Sequence, residues 1–291
     1  MSTTTARRRW SEMAHRLVRW ARGPKVLLIG VLLVLVAVTA PGATGGAGRA
    51  WLTVALAAGT AAGIEMMITA ARRRRLRIPD GAVGTGVILG MILDPSLPLP
   101  AVAALAGAAV VIKHLVRIGR GHVFNPAALA LVAAGLFGVE AQSWWGVAAA
   151  PAYVMVPLVV ITGLFIADRV NRLPMVGAFL GAYYLLLILA YLLLALAYTM
   201  FAAFTGMAGR VSVVYDEPFV NASLFAGFIM LTDPPTSPGR HADQYIYGVI
   251  AAAAGVVGVV LGQAYSLPLG LLAANAWLAV RRCLRRTAAT G

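Results

Sequence analysis

Cysteine, histidine and acidic side chains are all scarce in this 291-residue chain. The one cysteine, Cys283, sits beside Arg282 near the end, which excludes a disulfide framework and a thiolate metal site. The four histidines, His15, His114, His122 and His241, are scattered without ligand spacing, so neither a histidine-bound metal nor haem held by paired membrane histidines is expected. Only 10 Asp and Glu oppose 24 Lys and Arg, a formal net charge of +14. Such a surplus can signal nucleic-acid binding. The rest of the composition argues against that partner, because only 12% of residues are charged and 60% are hydrophobic. That balance defines an all-α integral membrane protein with the lipid bilayer as its surroundings, and the length allows about ten crossings.

Apolar segments run over Val26–Ala40, Trp51–Ala70, Gly81–Leu93, Leu99–Ile112, Pro126–Gly138, Pro151–Ala167, Pro174–Ala203, Pro218–Thr232, Tyr245–Leu261 and Leu267–Val280. The connections between them alternate in charge. Of the 24 basic residues, 22 fall on one side, and only Arg49 and Arg210 fall on the other. The positive-inside rule then predicts an even number of crossings with both termini in the cytoplasm. Residues 1–25 carry seven basic side chains, with Trp10, Met13, Leu17 and Ala21 at helical spacing among them. This pattern reads as an amphipathic helix on an anionic membrane face or as a disordered basic tail. The expected organisation is a basic amphipathic N-terminus (1–25), two membrane halves (26–140 and 141–280) and a basic cytoplasmic tail (281–291).

Two apolar segments end alike. Gly81–Leu93 leads into Asp94-Pro95-Ser96-Leu97-Pro98, and Pro218–Met230 leads into Leu231-Thr232-Asp233-Pro234-Pro235-Thr236-Ser237-Pro238. A shift of 139 residues lays Met91 on Met230, Asp94 on Asp233 and Pro95 on Pro234. Both segments are shorter than the roughly 20 residues a spanning helix needs. They lie five segments apart and so run in opposite directions, which predicts an inverted five-plus-five repeat with broken or half helices.

A third interrupted stretch is Gly121-His122-Val123-Phe124-Asn125-Pro126-Ala127. Asn before Pro is an N-cap followed by a proline at the first helical position. The free amides of such a half-helix attract anionic or electron-rich groups if it opens inward. A capped helix at the membrane surface would carry the same letters. Asp80-Gly81 and Asp216-Glu217-Pro218 open the other two short segments. Irregular backbone at membrane depth must be buried or line a cavity, so three short helices point to a central one. Glu65 lies inside the second segment, where a carboxylate is a candidate for ion handling or a partner of Arg72–Arg75. With Asp94 and Asp233 it could mark an ion path. Trp144-Trp145 reads as an interfacial anchor. Gly84-Thr85-Gly86 reads as small-residue helix packing.

In combination, Asp80-Gly81 with Thr85-Gly86, Gly121-His122 with Phe124-Asn125-Pro126-Ala127, and Thr232-Asp233-Pro234 with Thr236-Ser237-Pro238 resemble the RnfD/NqrB family. These are membrane subunits of Rnf and sodium-pumping NADH:quinone oxidoreductase complexes. The resemblance covers roughly Lys25 to Arg282. It implies ten helices in an inverted repeat, a bacterial-type plasma membrane, and flavin bound in the membrane part. It also implies electron transfer with other membrane or flavin-carrying subunits, or with quinone, coupled to sodium or proton movement. Asp80, Gly81, Thr85, Lys113, His122 and Asn125 would then face Asp233, Thr236 and Ser237 around the flavin. The chain departs from the family at one motif. The family's threonine that is esterified to FMN is missing from Val139-Glu140-Ala141-Gln142-Ser143-Trp144-Trp145-Gly146, and Pro41-Gly42-Ala43-Thr44 has similar letters but follows the first helix. A non-covalent flavin, FMN or riboflavin, is the expectation. A transporter or channel on the same repeat, or a non-catalytic accessory protein, are the competing readings.

Overall fold

The computed structural model describes residues 23–72, 78–118, 121–139, 141–201 and 217–287, with backbone only at 198–201 and 217–219. The amphipathic helix expected within residues 1–25 lies almost wholly outside the described residues, as do Arg210 and Asp216.

Among the described residues, long helices and short ones are mixed. They are α1 (Pro24–Thr39), α2 (Gly46–Ala71), α3 (Asp80–Ile92), α4 (Leu99–Leu115), α5 (Pro126–Leu136), α6 (Ala152–Arg169), α7 (Leu173–Phe201), α8 (Glu217–Phe225), α9 (His241–Val260) and α10 (Ser266–Thr287). A π-helical turn, Ala226–Met230, prolongs α8, and one helical turn, Trp145–Ala148, precedes α6. Proline sets several starts. Pro24, Pro100 and Pro126 occupy first-turn positions, where the missing N–H costs nothing. Among the described residues five stretches are long and apolar enough to cross a membrane: Pro24–Gly42, Gly46–Ala71, Ala152–Arg169, Leu173–Ala197 and His241–Val260. Asp80–Ile92, Leu99–Leu115, Pro126–Leu136 and Val220–Met230 are apolar but shorter. The fold is thus an all-α membrane protein. Helix α10 runs unbroken through Thr287, with Arg281, Arg282, Arg285 and Arg286 in its last turns.

The two halves pack in parallel ways. Helix α2 lies on α4 as α7 lies on α9, α4 on α5 as α9 on α10, and α1 on α3 as α6 on α8. Among the described residues one contact has no counterpart of equal extent, the seam of α2 against α3. A Cβ at Gly86 would stand 2.5 Å from the carbonyl oxygen of Ala57, and one at Gly90 would stand 2.6 Å from Cα of Val54. The two backbones touch because those side chains are missing, which is the small-residue packing expected of Gly86.

The broken ends are stitched shut. Ile92, the last residue of α3, accepts hydrogen bonds from the N–H groups of Ser143 and Trp144 at 2.9 and 3.1 Å, and Asp94 N donates to Ala141 O at 2.8 Å. The loop after α5 thus satisfies the end of α3, as a low-dielectric setting requires. Trp145 corrects its sequence reading. It is 3% exposed and donates from Nε1 to Gly90 O at 2.8 Å, so it is a core residue and not an interfacial anchor. Trp144 takes a left-handed φ of 53° and meets Phe225 edge to face.

Candidate functional site

The starts of α3 and α5, the end of α4 and the loop after α8 converge on one cavity of about 170 Å³. Seven of the nine residues singled out as cofactor contacts line it: Asp80, Gly81, Thr85, Lys113, His122, Asn125 and Asp233. Their sequence separation is bridged by the fold. Asp80 opens α3 and accepts the N–H of Gly81 at 2.7 Å. Thr85, one turn on, donates to Gly81 O at 3.0 Å. Strands β1 (Arg117–Ile118) and β2 (Gly121–His122) pair antiparallel and bring His122 to the mouth, where Nε2 lies 3.8 Å from Asp233 Oδ2. Two ammonium groups, Lys25 and Lys113, stand against two carboxylates, Asp80 and Asp233, and Leu28, Ile88 and Ile229 supply an apolar wall. Such a lining is charge-balanced and one-sidedly apolar, and it suits a planar heterocycle with a polar edge.

Asn125 is committed more to the fold than to an open site. Its Oδ1 accepts from Ala128 N at 3.1 Å, which is the N-cap expected from the sequence, and its Nδ2 donates to Met230 O at 3.3 Å. Its backbone N–H donates to Asn275 Oδ1 at 2.9 Å. Asn275 in turn donates to Thr236 O at 3.1 Å and to the Tyr247 hydroxyl at 2.5 Å. Asn125, Asn275 and Tyr247 are buried, and the network joins the start of α5 to α9, α10 and the loop after α8. A buried polar network that is fully satisfied specifies one arrangement of its elements.

Thr236 and Ser237 do not line the cavity. Thr236 Oγ1 turns back to Asp233, 3.1 Å from Oδ2, and Ser237 Oγ accepts from Arg172 Nε at 2.9 Å. Both are buried. They brace the loop, because a hydroxyl at a buried turn is drawn to the nearest carboxylate or guanidinium.

Glu65 lies apart from this cavity. Its Oε2 accepts from Lys113 Nζ and meets His114 Nε2, each at 2.9 Å, while Arg72 contacts His114 Nδ1 at 3.3 Å. Among the described residues, the partners of Glu65 are on α4; Arg73, Arg74 and Arg75 lie outside the described residues. Asp94 sits at the far end of α3 from Asp80, accepting Ser96 N at 2.7 Å. The three carboxylates proposed for an ion path are thus not one cluster. Among the described residues no group of three or more His, Cys, Asp or Glu is placed to hold a metal ion.

Sequence reasoning missed Asn275, Tyr247 and Lys25. An asparagine alone inside Leu267–Val280 was the available signal, since a polar side chain in a membrane helix faces the bundle interior and finds a partner.

Long and half-length apolar helices, packed around a cavity lined by charged side chains, define a multi-pass membrane protein. The chain matches the NQR2, RnfD, RnfE family over residues 18–280 and belongs to it. It is accordingly a membrane subunit of an Rnf/Nqr-type electron-transport complex. No curated protein matches the chain.

Proposed function

We propose that the chain is an electron-transfer subunit that holds a flavin without a covalent bond in the cavity between the starts of α3 and α5. One observation carries this reading: seven residues, scattered from Asp80 to Asp233 and chosen for this role, line a single cavity. The lining fits in kind, with cations for electron-rich atoms and an apolar wall for a ring. It fits less well in size. Ligand pockets usually hold about 300–1,000 Å³, and this one holds about 170 Å³, enough for part of the ring system. When bound, the flavin supplies the redox chemistry, and the protein positions and tunes it.

The chain's own part follows from its geometry. Lys113, held by Glu65, offers positive charge at one wall. Asp233 and His122 line the same cavity, with Nε2 3.8 Å from Oδ2. Asp80, the first residue of α3, holds the Gly81 N–H and presents its carboxylate to the same space. Coupling of this electron transfer to sodium or proton movement belongs to the same proposal, as do a cytoplasmic location for both termini and electron exchange with neighbouring subunits or quinone.

The test is titration of flavin into purified apoprotein, followed by quenching of flavin fluorescence. Saturable binding by the wild type, weakened in Lys113→Gln and Asp233→Asn, is the expected result. Binding unaffected by both substitutions would remove the flavin from this cavity.

A further inference from the structure

The cavity at the starts of α3 and α5 is small for a whole flavin, and a second space adjoins it. This second cavity, of about 150 Å³, lies between α2, the end of α4 and the β1–β2 pair. Lys113 and His122 line both spaces and are the residues their linings have in common. A lysine on its flexible four-carbon stem is a wall that a ligand can push aside. Joined across that wall, the two spaces reach the lower end of the roughly 300–1,000 Å³ usual for ligand pockets. Their chemistry differs. The first has the apolar wall of Leu28, Ile88 and Ile229. In the second Ile68 is the aliphatic residue, and Glu65, Thr69, Arg72 and His114 bring polar groups. Donors and acceptors there stand side by side. Lys113 Nζ and His114 Nε2 both meet Oε2 of Glu65 at 2.9 Å, so two contacts share one oxygen of a group with about four acceptor sites. The Lys113 ammonium has three protons to give, one of them to Glu65. Such a mixture suits hydroxyl groups, which both give and take hydrogen bonds.

We infer that the second cavity is a subsite for a hydroxylated chain, the side chain of the flavin, with Lys113 and His122 at the junction of ring and chain. The inference rests on the flavin reading, and it adds Glu65, Thr69 and His114 as the residues that meet the chain. It also accounts for the size of the first cavity, which then has only the ring to hold. A larger cavity of about 250 Å³, beside α10, meets the first at His122 alone and is the rival place for the chain.

The experiment titrates the purified full-length protein in detergent with riboflavin and with lumiflavin, which has the same ring and no hydroxylated chain, and reads the quenching of flavin fluorescence. The wild type should hold riboflavin about tenfold more tightly, the scale of one or two added hydrogen bonds. Thr69→Phe, which fills the second cavity, should abolish that preference and leave lumiflavin binding in place. Glu65→Gln keeps the size of the side chain and should weaken riboflavin more than lumiflavin, and it carries the test if Thr69→Phe does not fold. Ala279→Phe, which fills the cavity beside α10, should leave the preference intact. Equal wild-type affinity for the two ligands would overturn the subsite and leave the flavin reading standing. A preference that survives both Thr69→Phe and Glu65→Gln, or one lost in Ala279→Phe instead, would also overturn it. Binding of neither ligand would overturn the flavin reading itself, and the subsite with it.

Discussion

The loops after α3 and α8 share the letters Asp-Pro but are finished differently. Around Asp94, Arg49 donates to Pro95 O and Leu97 O at 2.6 and 2.5 Å, while Ser143 and Trp144 close the carbonyl of Ile92. That end is sewn to the neighbouring helix and the following loop. Around Asp233, Arg172 holds Ser237, Arg282 reaches Pro235 and Ser237, and Asn275 takes the Thr236 carbonyl. Here the carboxylate is left facing His122 and the cavity. Each loop has an arginine from the start of its own half's second long helix, Arg49 or Arg172, as its clamp. The lesson is that a repeated backbone device can serve as a seal at one end of the bundle and as a site wall at the other. The difference comes from the neighbours, namely His122, Asn125 and Lys113 from the first half.

The largest effect should come from removing the tie that makes the second loop a wall. Asn275→Ala strands the Asn125 N–H, the Tyr247 hydroxyl and the Thr236 carbonyl. It should cost about 3 kcal/mol of stability and lower the thermal midpoint in detergent. Arg49→Gln should cost about 2 kcal/mol by opening the sealed loop, yet leave flavin affinity unchanged. A loss of flavin there would mean the two ends are coupled. Asp233→Asn should weaken flavin binding about tenfold, roughly 1.4 kcal/mol, and Asp94→Asn should not, as read by fluorescence titration. Equal responses would erase the distinction between wall and seal. The smallest effect is expected at the α5 cap. Asn125→Ala should cost about 1 kcal/mol and reduce flavin retention more than Ser143→Ala does.

Much of this architecture could be read from the chain because membrane burial leaves coarse marks. The charge bias, the short apolar runs and the proline breaks each report a physical constraint that acts over many residues. Asn125 was legible as a cap because Asn-Pro has a local mechanism. The finer assignments depended on what lies across the bundle. Thr236 and Ser237 could equally face a ligand or their own loop, and only the positions of Asp233 and Arg172 decide that. Glu65 is seven residues from Arg72 along α2, but its partners come from α4. Trp145 looked like an anchor because Trp at a loop edge suits an interface. The acceptor at Gly90 that draws it inward is 55 residues away. Arg49, one of two basic residues out of step with the charge bias, is explained by the carbonyls it clamps.

The most direct measurement is the visible spectrum of the protein purified in mild detergent from riboflavin-replete cells, followed by denaturation and separation of supernatant from protein band. The account predicts a flavin spectrum, with the flavin released into the supernatant and none left on the band. Flavin retained on the band would contradict non-covalent binding, and no flavin in either fraction would contradict the electron-carrier role itself.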